Sequence, residues 1–152
     1  FPRIQRYSLF TTVMSSVESY LYRICLKIQY LQPTTKKFKK PRNNIIKGCI
    51  EYLEKCCGAD FSKLDIKEID MYRRIRNCIV HSEGKNSDSE PFEVEAFCQK
   101  KPTLSIDRNG YIVIEENFLQ IAIHVTTEFL KSLIVECKKK LKAQQRLQPD
   151  AE

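Results

Sequence analysis

Residues Arg76-Asn77-Cys78-Ile79-Val80-His81 put a cation, an amide and an imidazole within one short stretch of a 152-residue chain. Side chains of these three types can cleave a phosphodiester without a metal. An imidazole with an unperturbed pKa near ~6.5 accepts or donates a proton at neutral pH. A guanidinium grips phosphate through two N–H groups and offsets charge developing on five-coordinate phosphorus. The amide orients the imidazole or binds a phosphate oxygen. RNA carries its own nucleophile, the 2′-hydroxyl, whereas DNA lacks it and should resist. The contrasting reading is structural: a histidine closing a helix complements the dipole as a C-terminal cation, and Arg76-Asn77 is ordinary surface.

A helix must position these groups. Asp65-Ile66-Lys67-Glu68 has capping-box spacing, with Asp in place of Ser or Thr, and predicts a third helix reaching about His81, with Gly84 just beyond. At 100° per residue Tyr72, Ile75 and Ile79 share one side, with Ile69 and Cys78 on its shoulders. Asp70, Arg73, Asn77 and His81 fall opposite, joined by Arg74. Asn77 and His81 are one turn apart and therefore neighbours. Arg76 lies at the boundary, where its stem covers apolar surface and its head reaches sideways. That position suits a groove or a subunit contact. Arg74 fits a looser spacing to His81 and shares its face more closely.

The remaining pattern is helical with one exception. A first helix from about Ser8 to Leu31 carries Leu9, Val13, Val17, Tyr20, Ile24 and Ile28, flanked by Met14, Leu21 and Cys25, and Pro33 ends it. A second runs from about Asn43 to Cys57, capped by Asn43 or Asn44 and closed by Gly58. The polar stretch 84–95 reads as a flexible loop. Short strands Thr103–Ile106 and Tyr111–Ile114 flank Asp107-Arg108-Asn109-Gly110, a strong hairpin signal within 103–114. A last helix, about Glu116 to Leu141, carries Phe118, Ile121, Val125, Phe129, Leu133 and Cys137. The expected fold is mainly α: one domain, 1–152, an antiparallel bundle of four to five helices with a small β-hairpin before the last helix.

Composition narrows the classes. Hydrophobic residues make up 42% and charged residues 30%, as in soluble globular domains. No apolar run approaches the ~20 residues of a membrane span, so no membrane partner is expected. Seven cysteines, most in apolar helical rows, fit reduced buried thiols in a cytoplasmic protein. No C-x2-C pair repeats, so neither a structural metal nor a cofactor is expected. The net charge of +7 gathers in a basic loop, 33–42, and a charged tail, 138–152. Lys37, Lys39 and Lys40 of the loop are candidate phosphate ligands, against the plainer reading of a solvated loop. The tail lysines complement a helix terminus.

With its Arg-x4-His motif followed through a polar Asn, the chain resembles the HEPN superfamily (higher eukaryote and prokaryote nucleotide-binding domains). The likeness covers most of the chain: a long first helix with Glu18 and Tyr20, the motif ending the third, and a long last helix. The hairpin also looks like one subset of bacterial members. The resemblance implies a metal-independent endoribonuclease acting as a homodimer, serving as a toxin or antiphage defence effector. In such dimers each groove takes an Arg and a His from both subunits, and products carry a 2′,3′-cyclic phosphate and a 5′-hydroxyl. By carry-over His81 is the acid/base, Arg76 the phosphate ligand and Asn77 the orienting amide, with Arg73 and Arg74 binding substrate. Members paired with a minimal nucleotidyltransferase antitoxin carry a tyrosine two residues after the histidine. Glu83 stands there, which argues against that pairing and leaves the antitoxin or regulatory partner open. Other members are noncatalytic nucleotide- or RNA-binding or dimerisation modules, the alternative function.

Overall fold

A computed structural model describes residues 2–33 and 36–147. Residues 34 and 35 of the expected basic loop and 148–152 of the expected tail lie outside them. The described chain is mainly α: five helices and one two-stranded antiparallel hairpin placed before the last helix. The helices are α1 (Pro2–Leu31), α2 (Ile45–Cys57), α3 (Ile66–Ser82), α4 (Pro91–Gln99) and α5 (Glu116–Arg146); the strands are β1 (Leu104–Ile106) and β2 (Ile112–Ile114). The chain groups into two compact units. One comprises residues 1–16 and 66–127, the other 17–65 and 128–152.

The first unit holds α3, α4, the hairpin and the N-terminal half of α1. Its core is aromatic. Phe10, Tyr72 and Phe118 meet with ring centroids 5.4–5.9 Å apart, and Phe97 of α4 stands edge-on to Tyr72 at 6.2 Å. Such tilted and edge-to-face pairs stabilise beyond the area they bury. The hairpin pairs Leu104 with Ile114 and Ile106 with Ile112. Its turn is longer than a two-residue Asn-Gly hairpin. Asp107 N–H donates to Tyr111 O at 2.8 Å, leaving Arg108-Asn109-Gly110 as the loop, with Gly110 at φ +83°. Asp107 Oδ1 accepts from the Asn109 and Tyr111 amides at 2.8 and 3.0 Å.

Helix α4 occupies the end of the stretch expected to be loop. Pro91 opens it at a position where no N–H is needed, and Val94 and Cys98 bury one face. Three charge pairs tie α4 and the turns on either side of it to α3. Arg74 reaches Asp88 and Glu93, and Lys101 Nζ meets both Glu68 oxygens at 2.8 Å.

The second unit contains α2, the C-terminal halves of α1 and α5, and the loop after α1. Asn44 caps α2 by accepting from the Lys47 amide at 3.0 Å, and Gly58 closes it in the left-handed region. Cys25, Cys49, Leu53, Cys57, Phe61, Leu133 and Cys137 are buried in it.

Two core rows differ from the expected registers. On α1 the buried row is Phe10, Met14, Val17, Leu21, Cys25 and Ile28, while Leu9 and Tyr20 are exposed. On α5 it is Phe118, Ala122, Phe129, Leu133 and Cys137, and Ile121 is exposed. Helix α5 also contains an 18-residue window of mean hydropathy 1.4, of which 28% is buried. That is long and apolar enough by composition alone to cross a membrane, unlike the expected absence of such a run. The buried stripe of α5 lies opposite an exposed side that mixes His124, Thr127, Glu128, Lys131 and Ser132 with Ile123 and Val135.

Candidate functional site

The C-terminal end of α3 is locked by backbone geometry. Glu83 adopts φ +52° and Gly84 φ +92°, and the Gly84 N–H donates to Cys78 O at 3.0 Å. This bond reaches back six positions, one more than the C″-to-C3 bond of a Schellman motif, and closes the helix with Glu83 in the left-handed position usually given to glycine. Gly84 is needed for a second reason. A Cβ there would lie 2.1 Å from the Tyr7 hydroxyl oxygen. That hydroxyl donates in turn to Ile112 O, and Ile112 N–H donates to Gly84 O at 2.9 Å. Burial pushes the Tyr7 phenol above its ordinary value, so it stays a neutral donor. The start of α1, the end of α3 and strand β2 therefore converge on one glycine, directly after the motif.

The motif residues emerge from this fixed end with different exposures. Arg76 is half-buried, with its Nε shielded from solvent. Asn77 is half-buried and His81 exposed, one turn apart. Among the described residues neither Asn77 nor His81 engages another side chain through a hydrogen bond or ion pair. Arg76 and His81 differ by five residues, or about 140° around the axis and roughly 7.5 Å along it. One copy of α3 thus presents them on different sides. Val80, on the flank shared with Arg76, is 52% exposed.

The other two arginines are engaged within the chain. Arg73 Nε donates to Asp70 Oδ1 at 2.9 Å. Arg74 is held more tightly. Its Nη2 meets Asp88 Oδ1 at 2.5 Å, its Nη1 meets Glu93 Oε2 at 2.6 Å, and its Nη2 also donates to Glu90 O at 3.3 Å. The side chains of Arg74 and Asp88 are only 13% and 11% exposed. The hydrogen bond from Arg74 holds the Asp88 carboxyl below the usual carboxylate range, and Asp88 together with Glu93 raises the guanidinium above its own. Arg74 therefore fastens the turn before α4 onto α3, a different job from the expected substrate contact. Lys37, Lys39 and Lys40 belong to the second unit and are exposed. His124 is exposed on α5.

A feature missed in the sequence adjoins the motif helix. Arg3, Tyr7, Thr11, Ile79, Glu83 and Tyr111 help line an open groove of about 510 Å³. The Arg3 guanidinium lies 5.2 Å from the Tyr111 ring centroid. Arg3 and Tyr7 have helical i, i+4 spacing, a signal hidden by starting the first helix at Ser8. A cation, hydroxyls and an aromatic ring beside α3 are groups that bind a sugar-phosphate.

All seven cysteines are free and six are buried. Burial pushes Cys98 up to about 11, which keeps it protonated at neutral pH. No protein-family model, curated protein or solved structure matches this chain.

Proposed function

We propose that the chain is a metal-independent endoribonuclease of HEPN type, working as a homodimer in which two α3 helices bring their motifs together. The observation that carries the reading is the state of Asn77 and His81. They sit a turn apart at the locked end of α3, accessible to a ligand and unengaged by other side chains, while Arg73 and Arg74 are tied to carboxylates.

Chemistry follows from these groups. His81 takes the proton of a ribose 2′-hydroxyl or delivers one to the leaving 5′-oxygen. The Arg76 guanidinium binds the scissile phosphate and offsets its growing charge. Asn77, unengaged in the single chain, binds a phosphate oxygen or turns to orient the imidazole once substrate is bound. The 2′-oxygen attacks phosphorus, the P–O5′ bond breaks, and a 2′,3′-cyclic phosphate and a 5′-hydroxyl remain. Because Arg76 and His81 of one helix diverge by about 140°, the pair facing one phosphate is drawn from two copies. A toxin or phage-defence role in the cytoplasm, under a regulatory partner, fits such an activity.

RNA cleavage in EDTA with end-group analysis tests this reading. Wild type should yield cyclic phosphate ends, and His81→Ala should lower the rate by about 10²–10⁴-fold. Arg76→Ala should fall comparably. Intact RNA with wild type would overturn the enzyme. The exposed lysines of the loop after α1 favour one alternative, a noncatalytic RNA-binding module, which predicts binding without product.

A further inference from the structure

The net charge of +7 has an address. The unit formed by 17–65 and 128–152 contains sixteen lysines and arginines against nine aspartates and glutamates, the full excess of seven. The unit that carries the Arg76–His81 motif contains ten of each and is neutral. We infer that the second unit is where the RNA backbone docks, on the loop Lys36–Arg42 and the adjoining end of α1.

The loop is built for this. Phe38 is 7% exposed and packs between Tyr22 and Tyr52, with ring centroids 5.7 and 4.8 Å away. Its N–H donates to Gln29 Oε1 at 2.6 Å. Pro41 lies so close to α2 that a Cβ on Gly48 would come within 2.2 Å of its Cγ. With Phe38 and Pro41 as anchors, the residues between and around them are held outward: Lys36, Lys37, Lys39, Lys40 and Arg42 are all exposed. Among the described residues Lys36, Lys37, Lys39 and Arg42 pair with no carboxylate, whereas Lys47, Lys131 and Lys139 of the same unit each pair with a glutamate on their own helix. A fixed array of unpaired cations loses little conformational freedom on binding a polyanion and releases its counterions.

An aromatic accompanies the cations. Tyr30, the residue after Gln29, is 77% exposed, with Lys27 Nζ 5.3 Å from its ring centroid. Phosphate-tracking cations beside an open ring make the combination that holds single-stranded nucleic acid through backbone and base stacking. An acidic polypeptide would use the lysines but has no bases to stack on the ring.

This inference rests on the proposed function for the identity of RNA, so binding is read on His81→Ala, where cleavage cannot intrude. The probe is a 20-nucleotide single-stranded RNA, titrated at several salt concentrations with full-length protein. Lys36→Gln, Lys37→Gln and Lys39→Gln together should weaken binding at least tenfold near 0.1 M salt and reduce the slope of log K against log salt by about 2. Lys67→Gln, Lys85→Gln and Lys100→Gln, an equal charge change in the neutral unit, should leave that slope unchanged. Tyr30→Ala should weaken binding about tenfold or more with no change in slope. Equal effects from both lysine triples would overturn the inference. So would equally tight binding of polyglutamate with Tyr30→Ala silent, which would assign the surface to an acidic protein. Salt-dependent binding localised here, with wild type unable to cleave, would sink the enzyme and leave this surface standing.

Discussion

Arg73, Arg74 and Arg76 differ little as sequence, and the folded chain gives them separate work. Which arginine would meet the carboxylates was not legible, because Asp88, Glu90 and Glu93 lie beyond the end of α3 in a stretch read as loop. Asp88 is the member whose removal is most informative. Asp88→Asn should destabilise the protein by about 1–3 kcal/mol at pH 7, because a partly buried guanidinium loses its charged acceptor. The pH dependence has a definite sign. A carboxyl held below its unfolded value near ~3.9 contributes stability that is complete above that value and is lost as pH falls toward the folded one. Thermal melts from pH 7 downward should therefore show wild type and Asp88→Asn converging below about pH 4. A constant gap across that range would mean the pair is not the source of the difference.

At the scale of elements, features decided by local chemistry are legible in the sequence and features decided by packing are not. Caps and turns were legible: Asn44, Gly58 and the Asp107–Gly110 turn all act locally. The register of α1 was not. Leu9, Val13, Val17 and Phe10, Met14, Val17 both keep helical spacing, so only the neighbours of α1 choose between them. Helix α4 was hidden because Pro91 reads as a breaker when it stands at a helix start. The locked end of α3 was half legible. Gly84 signalled a helix stop, but its contact with Tyr7 required the first helix to begin near Pro2. Gly84→Ala should cost about 2–4 kcal/mol, combining a left-handed backbone with a side chain overlapping Tyr7. It should also lower RNA cleavage out of proportion to the folded fraction, since it loosens the segment directly after His81. Tyr7→Phe, which keeps the ring and removes only the hydroxyl, should be milder. A Gly84→Ala protein with wild-type stability would discard the account of this terminus.

At the scale of the whole molecule the candidate chemistry requires more than one copy. Helical geometry sets Arg76 and His81 of one α3 about 140° apart, too divergent to grip one phosphate from both sides. In the proposed homodimer a second α3 would supply the missing partner, and exposed Val80 beside Arg76, with Ile4 and Leu9 on α1 of the same unit, offers apolar surface for it. Activity should then depend on association. Specific activity should be constant at high protein concentration and fall on dilution through the dimer dissociation constant measured by sedimentation. Val80→Glu should move that midpoint to higher concentration while leaving the limiting activity at saturating protein within about twofold, because a charge at a contact weakens association without touching the reacting groups. A species that sediments as a monomer and cleaves at full rate would remove the need for two helices and return Arg76 and His81 to separate roles.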